Sequence, residues 1–151
     1  MIQKIRTATL HGTAASVAQL TGNGSGIDVS NAQNVIIVAE INKGDAAAIT
    51  LAPQGDDAAS TGFAAITNNA KIFAAVDTGT SDALVRQTDA VEYVSGAVDT
   101  THRVVMQIDP ASLGNLAASG NPITTLRVAV SGGHANDRGS ITAYIEPRYM
   151  P

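Results

Sequence analysis

The side chains with most chemical potential are three histidines and a few serines, and none is arranged as a site. His11, His102 and His134 are far apart in the 151-residue sequence, and none has a second histidine or a carboxylate at the spacing typical of metal ligands. Ser112 and Ser131 lie near no His/Asp arrangement and are typical of caps and turns. We interpret the histidines as turn or surface residues and predict no catalytic residue and no metal.

Two further patterns resemble binding motifs without completing them. Asp56 and Asp57, together with Asp45, offer carboxylates for calcium, but the loop lacks the alternating oxygen ligands of a dedicated calcium loop. We interpret the pair as a solvated acidic turn. The run Gly132-Gly-His-Ala-Asn-Asp137 is glycine-rich, as a phosphate loop is, but has no Gly-Lys-Ser/Thr ending. A flexible hairpin tip is the better interpretation, and no cofactor is predicted.

Composition excludes several classes of partner. The chain has no cysteine, which excludes a thiolate nucleophile, a cysteine-ligated metal and a disulfide framework. The formal net charge is −4, and the lysines and arginines are spread singly, so no basic patch faces nucleic acid or anionic lipid. The first residues lack the apolar core of a signal peptide, and no run approaches the length of a membrane helix. We expect no nucleic-acid or membrane partner and synthesis in the cytoplasm.

The hydrophobic residues are unusually small. The chain contains 26 alanines but only two phenylalanines, three tyrosines and no tryptophan. Small side chains remove little apolar area from water, and the hydrophobic effect contributes only about 25 cal/mol per Å². A lone monomer would have a thin core, so we expect a homo-oligomer or a larger assembly.

The elements that must position these residues are strands. Residues 35–41 form the densest apolar run, and the polar residues Asn42-Lys-Gly-Asp45 separate it from a second run at 46–51. β-branched residues and a short turn-forming connection favour a β-hairpin over a helix. Because the first strand is apolar on both faces, we expect it in the middle of a sheet that is covered on both sides.

Further short strands alternate with turns. Residues 52–62 contain Pro, two Gly and adjacent carboxylates, which predict a surface loop. Leu126, Val128 and Val130 alternate with polar or small residues, as do Ile141, Ala143 and Ile145, which predicts two half-buried strands. The other predicted strands are weak ones at 2–10 and 17–20 and clearer ones at 63–66, 72–76, 84–88, 92–98 and 103–108.

Asp109 followed by Pro110 predicts one short helical turn, which Gly114 ends. Regularly punctuated short strands are typical of an all-β protein. We therefore predict an antiparallel β-sandwich, jelly-roll-like, with an N-terminal extended arm and one helical turn. Residues 1–33 would form the arm with weak strands and residues 34–151 the sandwich. The residues predicted to be buried in its core are Val35, Ile37, Ile41, Val105, Val128 and Ile145.

Three segments carry a resemblance to a known class of protein. They are Ile49-Thr-Leu-Ala-Pro-Gln-Gly-Asp-Asp followed by Gly62-Phe63, then Arg103-Val-Val-Met-Gln-Ile-Asp-Pro, and the ending Ala143-Tyr-Ile-Glu-Pro-Arg-Tyr. In this order they resemble small β-sandwich structural proteins of tailed bacteriophages, found as capsid decoration or cement proteins or other accessory virion proteins. The resemblance implies a non-enzymatic virion protein that contacts the major capsid protein or another virion protein. It also implies a homo-oligomer, with a trimer favoured.

Two alternatives remain open, a carbohydrate- or receptor-binding sandwich and a head–tail or neck accessory protein. A sugar-binding module usually needs aromatic platforms, of which this chain has few. For a structural protein, the termini are the predicted contact elements, since Pro147 ends the last strand and tyrosine and arginine are typical of interface hot spots. Alternatively, Tyr149 folds back over its own sandwich. The interface candidates are Ile2, Ile5, Arg6, Arg148, Tyr149 and Met150.

Overall fold

A computed structural model describes residues 5–12, 18–59, 62–97, 99–109, 113 and 121–148. The regular secondary structure of these residues is almost entirely β-strand, and no helix among them is long and apolar enough to cross a membrane. Their strands are β1 (Arg6–His11), β2 (Ala18–Gln19), β3 (Gly22–Asn23), β4 (Ile27–Asp28), β5 (Ala32–Asn42), β6 (Thr50–Asp57), β7 (Ala64–Ala65), β8 (Lys71–Val76), β9 (Val85–Arg86), β10 (Tyr93–Val94), β11 (Thr101–Ile108), β12 (Ile123–Ser131) and β13 (Arg138–Pro147).

The strands form two antiparallel sheets that pack face to face. The first sheet has the order β1-β13-β5-β11-β8-β9, with β2 paired to β13. The second has the order β10-β6-β12-β3, with β4 paired to β12 and β7 to β6. The predicted all-β antiparallel sandwich is confirmed, and the N-terminal strand β1 lies at an edge of the first sheet.

The predicted hairpin is wrong, although its first strand is placed correctly. β5 lies inside the first sheet between β13 and β11, as expected of the densest apolar run. β6 belongs to the second sheet and pairs with β12. The connection between them therefore crosses from one sheet to the other, so that Ile37 and Leu51, both fully buried, belong to opposite walls of the core.

The predicted surface loop at 52–62 is also wrong in its first half, which belongs to β6. Pro53 is tolerated inside this strand because β12 covers one edge, while on the other edge β7 pairs only with Gln54 and Gly55. Proline has no backbone N–H, so it fits a strand only at positions where the neighbouring strand needs no hydrogen bond from it. The predicted helical turn falls mostly outside the described residues, of which Leu113 is helical and buried.

The core lies between the two sheets and consists of aliphatic side chains. Val35, Ile37, Ile41, Val128 and Ile145 are buried as predicted. Val105 is not, because β11 turns His102, Val104, Met106 and Ile108 inward. A shift of one residue exchanges the inward and outward faces of a strand. Because Val104 and Val105 are both valines, the sequence does not show which of them points inward.

Candidate interaction surface

His102 is a fully buried titratable group with a hydrogen-bond network of its own, which corrects its interpretation as a turn or surface residue. Its Nδ1 lies 3.1 Å from the hydroxyl of Tyr93, and its Nε2 lies 3.1 Å from Oγ1 of Thr100. Burial, reinforced by the charge of Lys43, lowers the pKa of His102, and burial raises the pKa of Tyr93. Since Tyr93 lies on β10 and His102 on β11, this contact joins the two sheets.

Lys43 and Ser95 lie at the same end of the sandwich. Lys43 is 2% exposed and donates from Nζ to the carbonyl of Gly96 at 2.7 Å. The Ser95 hydroxyl accepts the N–H of Ile49 at 2.9 Å and donates to the same Gly96 carbonyl at 3.3 Å. These hydrogen bonds hold the connection between β5 and β6 against the residues that follow β10.

The glycine-rich run at 132–137 is not a hairpin tip, because β12 and β13 lie in different sheets. Its last residue, Asp137, is fully buried. The carboxylate accepts the N–H of Gly44 at 2.9 Å and that of His134 at 2.6 Å, while the Asp137 carbonyl accepts the N–H of Leu20 at 3.1 Å. Asp137 therefore fastens three connections at one end of the sandwich.

The acidic pair is also part of the fold rather than a solvated turn. Asp56 and Asp57 are buried, and Asp56 Oδ1 accepts the N–H of Asp57 at 2.9 Å and that of Gly62 at 3.1 Å. Asp45 caps its own turn through the N–H of Ala47 at 2.8 Å. Among the described residues, no three His, Asp or Glu side chains are grouped as metal ligands would be.

The predicted contact residues that the structure describes meet at one end of the β1–β13 pair. Ile5 is 58% exposed and immediately precedes β1. Arg6 pairs with Ile145 near the end of β13, and its Nη2 donates to the carbonyl of Asp28 at 3.1 Å. Antiparallel pairing therefore brings the beginning of β1 beside the end of β13, a proximity that the sequence does not reveal.

Arg148 follows β13 directly and folds back on its own chain. Its N–H donates to the carbonyl of Asn31 at 2.7 Å, and its Nε donates to the carbonyl of Ala32 at 3.0 Å. The side chain is otherwise exposed. The remaining predicted contact residues, Ile2, Tyr149 and Met150, lie outside the described residues.

The largest feature that sequence reasoning missed is on the outer face of the first sheet. Five apolar side chains are adjacent there, and we call them the apolar band: Ile36, Val38, Phe73, Val105 and Tyr144. Val105 pairs with Val38 on one side and with Phe73 on the other, and Ile36 pairs with Tyr144. Tyr144 is 42% exposed, and the other four are half-buried.

Charged side chains frame the band. Nε of Arg103 lies 2.6 Å from Oε1 of Glu40, and this hydrogen bond together with the Glu40 charge raises the pKa of Arg103. Arg86 lies over the Phe73 ring, 5.0 Å from its centroid, and forms an ion pair with Asp89. Beyond Phe73 the face continues into a polar cleft of about 210 Å³, lined by Asn69, Lys71, Asp89, Gln107, Ile108 and Asp109.

The outer face of the second sheet has a different character. Arg127 covers the Phe63 ring at 3.9 Å from its centroid and donates from Nε to Gln54 Oε1 at 2.9 Å. Its neighbours along β6 and β12 are alanine and threonine, for example Ala52 and Ala129, which pair with each other. The apolar band is therefore a property of the first sheet.

The sequence did contain a signal for the band. Residues 35–38 are apolar without alternation, and Val104 and Val105 are adjacent. We expected such strands to be covered on both sides, but within the described chain only their inner face is buried. Strands of an exposed antiparallel sheet usually alternate apolar and polar residues, so the break in alternation marked an outer surface with an apolar character.

The fold defines a two-sheet antiparallel β-sandwich, and comparison places it beside a known structure. No family model matches the chain, and no curated protein matches it. The structure is similar to the crystal structure of the SPBc2 prophage-derived protein YomS, with a TM-score of 0.54 over 97% of this chain and 96% of that one. The sequences are 11% identical, so the similarity establishes a shared fold.

Proposed function

We propose that this protein is a non-enzymatic structural component of a bacteriophage virion, which decorates or cements the capsid through protein–protein contacts. The observation that carries the proposal is the similarity to a prophage-derived protein, which extends over nearly the whole length of both chains. It agrees with the phage-like segments of the sequence. The buried polar groups support the non-enzymatic part of the proposal, since His102, Lys43, Asp56 and Asp137 use their side chains for hydrogen bonds within the fold.

In this proposal the partner is the major capsid protein or another virion protein, and neither nucleic acid nor membrane is required. The contact end is the exposed region around Ile5, Arg6 and Arg148, where the start of β1 lies beside the end of β13. A homo-oligomer, with a trimer favoured by the resemblance, would multiply this contact on a shell. Several weak contacts on one rigid body raise the total affinity without a larger interface.

The proposal is tested on purified particles of the phage that encodes the chain. Quantitative mass spectrometry is expected to find the protein in a fixed ratio to the major capsid protein, and electron cryomicroscopy is expected to place it on the shell. A protein that is expressed during infection but absent from purified particles would show that the proposal is wrong. Location at the neck or tail would instead support the accessory role, and binding to a glycan array would support the sugar-binding alternative.

A matched pair of variants tests the contact end. Arg6→Glu reverses a charge at the start of β1, whereas Arg138→Glu reverses one at the opposite end of β13. Arg6→Glu is expected to weaken rebinding to particles that lack the protein, and Arg138→Glu is expected to leave rebinding unchanged. Equal effects of the two variants would contradict the assignment of the contact end.

A further inference from the structure

The apolar band has an unusual share of the large side chains in this chain. Of the four aromatic residues that the structure describes, Tyr93 is buried in the core, whereas Phe63, Phe73 and Tyr144 lie on outer faces. Two of these three belong to the band. Aromatic side chains dominate the energy of cores and interfaces because each buries a large apolar area. Their position outside so small a core indicates a surface that becomes covered.

The charges on this face are of both signs, which suits a partner that also carries both. Neither sign dominates among the ionised groups on or beside the face, whereas the whole chain carries −4. A second copy is therefore not repelled here by net charge. The acidic groups include Glu40, Asp89, Asp109 and Glu146, and the basic groups include Lys71, Arg86, Arg103 and Arg138.

The order of the strands adds a symmetry argument. A two-fold axis that lies in the interface, parallel to the strands and between β5 and β11, exchanges β5 with β11 and β13 with β8. Side chains that lie side by side on neighbouring strands form a row across the sheet. The axis places each row opposite the same row of the partner, with the strand order reversed. Val38 faces the partner's Val105, and Glu40 faces the partner's Arg103. Because the axis applies the same contact in both directions, two Glu40–Arg103 pairs then lie between the copies. Tyr144 faces the partner's Lys71.

We propose that the outer face of the first sheet packs against the same face of a second copy of this chain, around a two-fold axis between β5 and β11. Two sheets pack face to face at about 10 Å when apolar side chains interdigitate. The band supplies those side chains, and the Glu40–Arg103 pair sets the orientation. This contact forms in the isolated protein and does not depend on a role in a virion.

The pairing differs from the threefold assembly that the phage resemblance implies. An isologous contact joins two chains, or an even number when a second interface is also present. Light scattering on the purified protein is expected to give twice the chain mass of 15.3 kDa. A mass of one or three chains at micromolar concentration would overturn the proposal.

A pair of valine substitutions locates the contact. Val105→Lys places an ammonium group in the centre of the band, whereas Val94→Lys alters a valine that is 53% exposed at the edge of the second sheet. Val105→Lys is expected to weaken the pairing at least about tenfold, and Val94→Lys is expected to leave it unchanged. Circular dichroism checks that both variants fold. Pairing that survives in folded Val105→Lys protein would overturn the proposal.

Cysteine substitutions test the orientation, since the chain has no cysteine of its own. Lys71→Cys and Tyr144→Cys are made as separate variants, so that each chain carries a single cysteine and no disulfide can form within one chain. Across the two-fold axis they face each other. Mixing the two variants in reduced form and then adding a short bismaleimide cross-linker, which spans the roughly 10 Å between packed sheets, is expected to give a cross-linked heterodimer in clear excess over either cross-linked homodimer. An excess of homodimer would overturn the proposed axis.

Discussion

The two sides of β5 allow one sharp test of the fold, because neighbouring isoleucines point in opposite directions. Ile37 is fully buried between Met106 and Ala143 of the adjacent strands, whereas Ile36 lies half-buried on the outer face. Replacing each by alanine makes the same chemical change at successive positions of one strand. Any difference in stability between the variants therefore reports the face rather than the residue type.

The expected magnitudes follow from burial. Isoleucine to alanine removes three carbon atoms, and each buried methylene contributes about 0.8 kcal/mol. For Ile37 the transfer loss of about 2.4 kcal/mol is increased by the cavity that remains, to a total of about 3–4 kcal/mol. Ile36 keeps part of its surface in water in both states, so Ile36→Ala is expected to cost about 1 kcal/mol or less.

Urea unfolding followed by far-ultraviolet circular dichroism measures both values. It is performed at a protein concentration where light scattering shows the same mass for wild type and variants, so that association does not enter the comparison. If the m-value is unchanged, a difference in the urea midpoint between variants reports a difference in the free energy of unfolding. Equal losses for the two variants, or a loss below about 0.5 kcal/mol for Ile37→Ala, would refute the assignment of the inner face.

Three further outcomes are expected. Burial lowers the pKa of His102 from its ordinary value of 6.5, so below that value the unfolded chain binds more protons than the folded one. Wild-type stability should therefore fall between pH 7 and 5, by at most about 1.4 kcal/mol per pH unit, and His102→Gln should reduce that slope in urea titrations. Asp137→Ala leaves two backbone N–H groups without their carboxylate and should cost about 3 kcal/mol or more in the same assay; a loss below about 1 kcal/mol would contradict its fastening role. Deleting residues 148–151 removes the hydrogen bonds to Asn31 and Ala32 and should cost about 1–2 kcal/mol while also weakening particle binding; intact particle binding would show that the segment only closes its own domain.

The strands themselves were predictable where apolar and polar residues alternate. Leu126, Val128 and Val130 point inward as predicted, as do Ile141 and Ile145. The period of two is a local property, because successive side chains of a strand point to opposite faces whatever the strand pairs with. Several of the short strands were predictable for a similar reason, since turn-forming residues bound them, but β3 lies within a glycine-rich stretch that the sequence indicates as a loop.

The candidate surface was only partly predictable. The unbroken apolar run at 35–38 showed that both faces of β5 avoid water, but the sequence does not say whether a second layer of the same chain covers the outer one. Val105 was predicted to be in the core for this reason and lies in the band instead. The proximity of Arg6 and Arg148 also came only from the pairing of β1 with β13.

What the sequence by itself determined is that the chain is built of strands, where most of them lie, and that the core is aliphatic. What only the tertiary structure decided is which strands are neighbours. Alternation specifies a face but not a sheet, so the runs at 35–41 and 46–51 satisfied a hairpin as well as two strands on opposite walls of the core. The same is true of His102, Asp56 and Asp137, because burial of a polar group depends on hydrogen-bond partners that are distant in sequence.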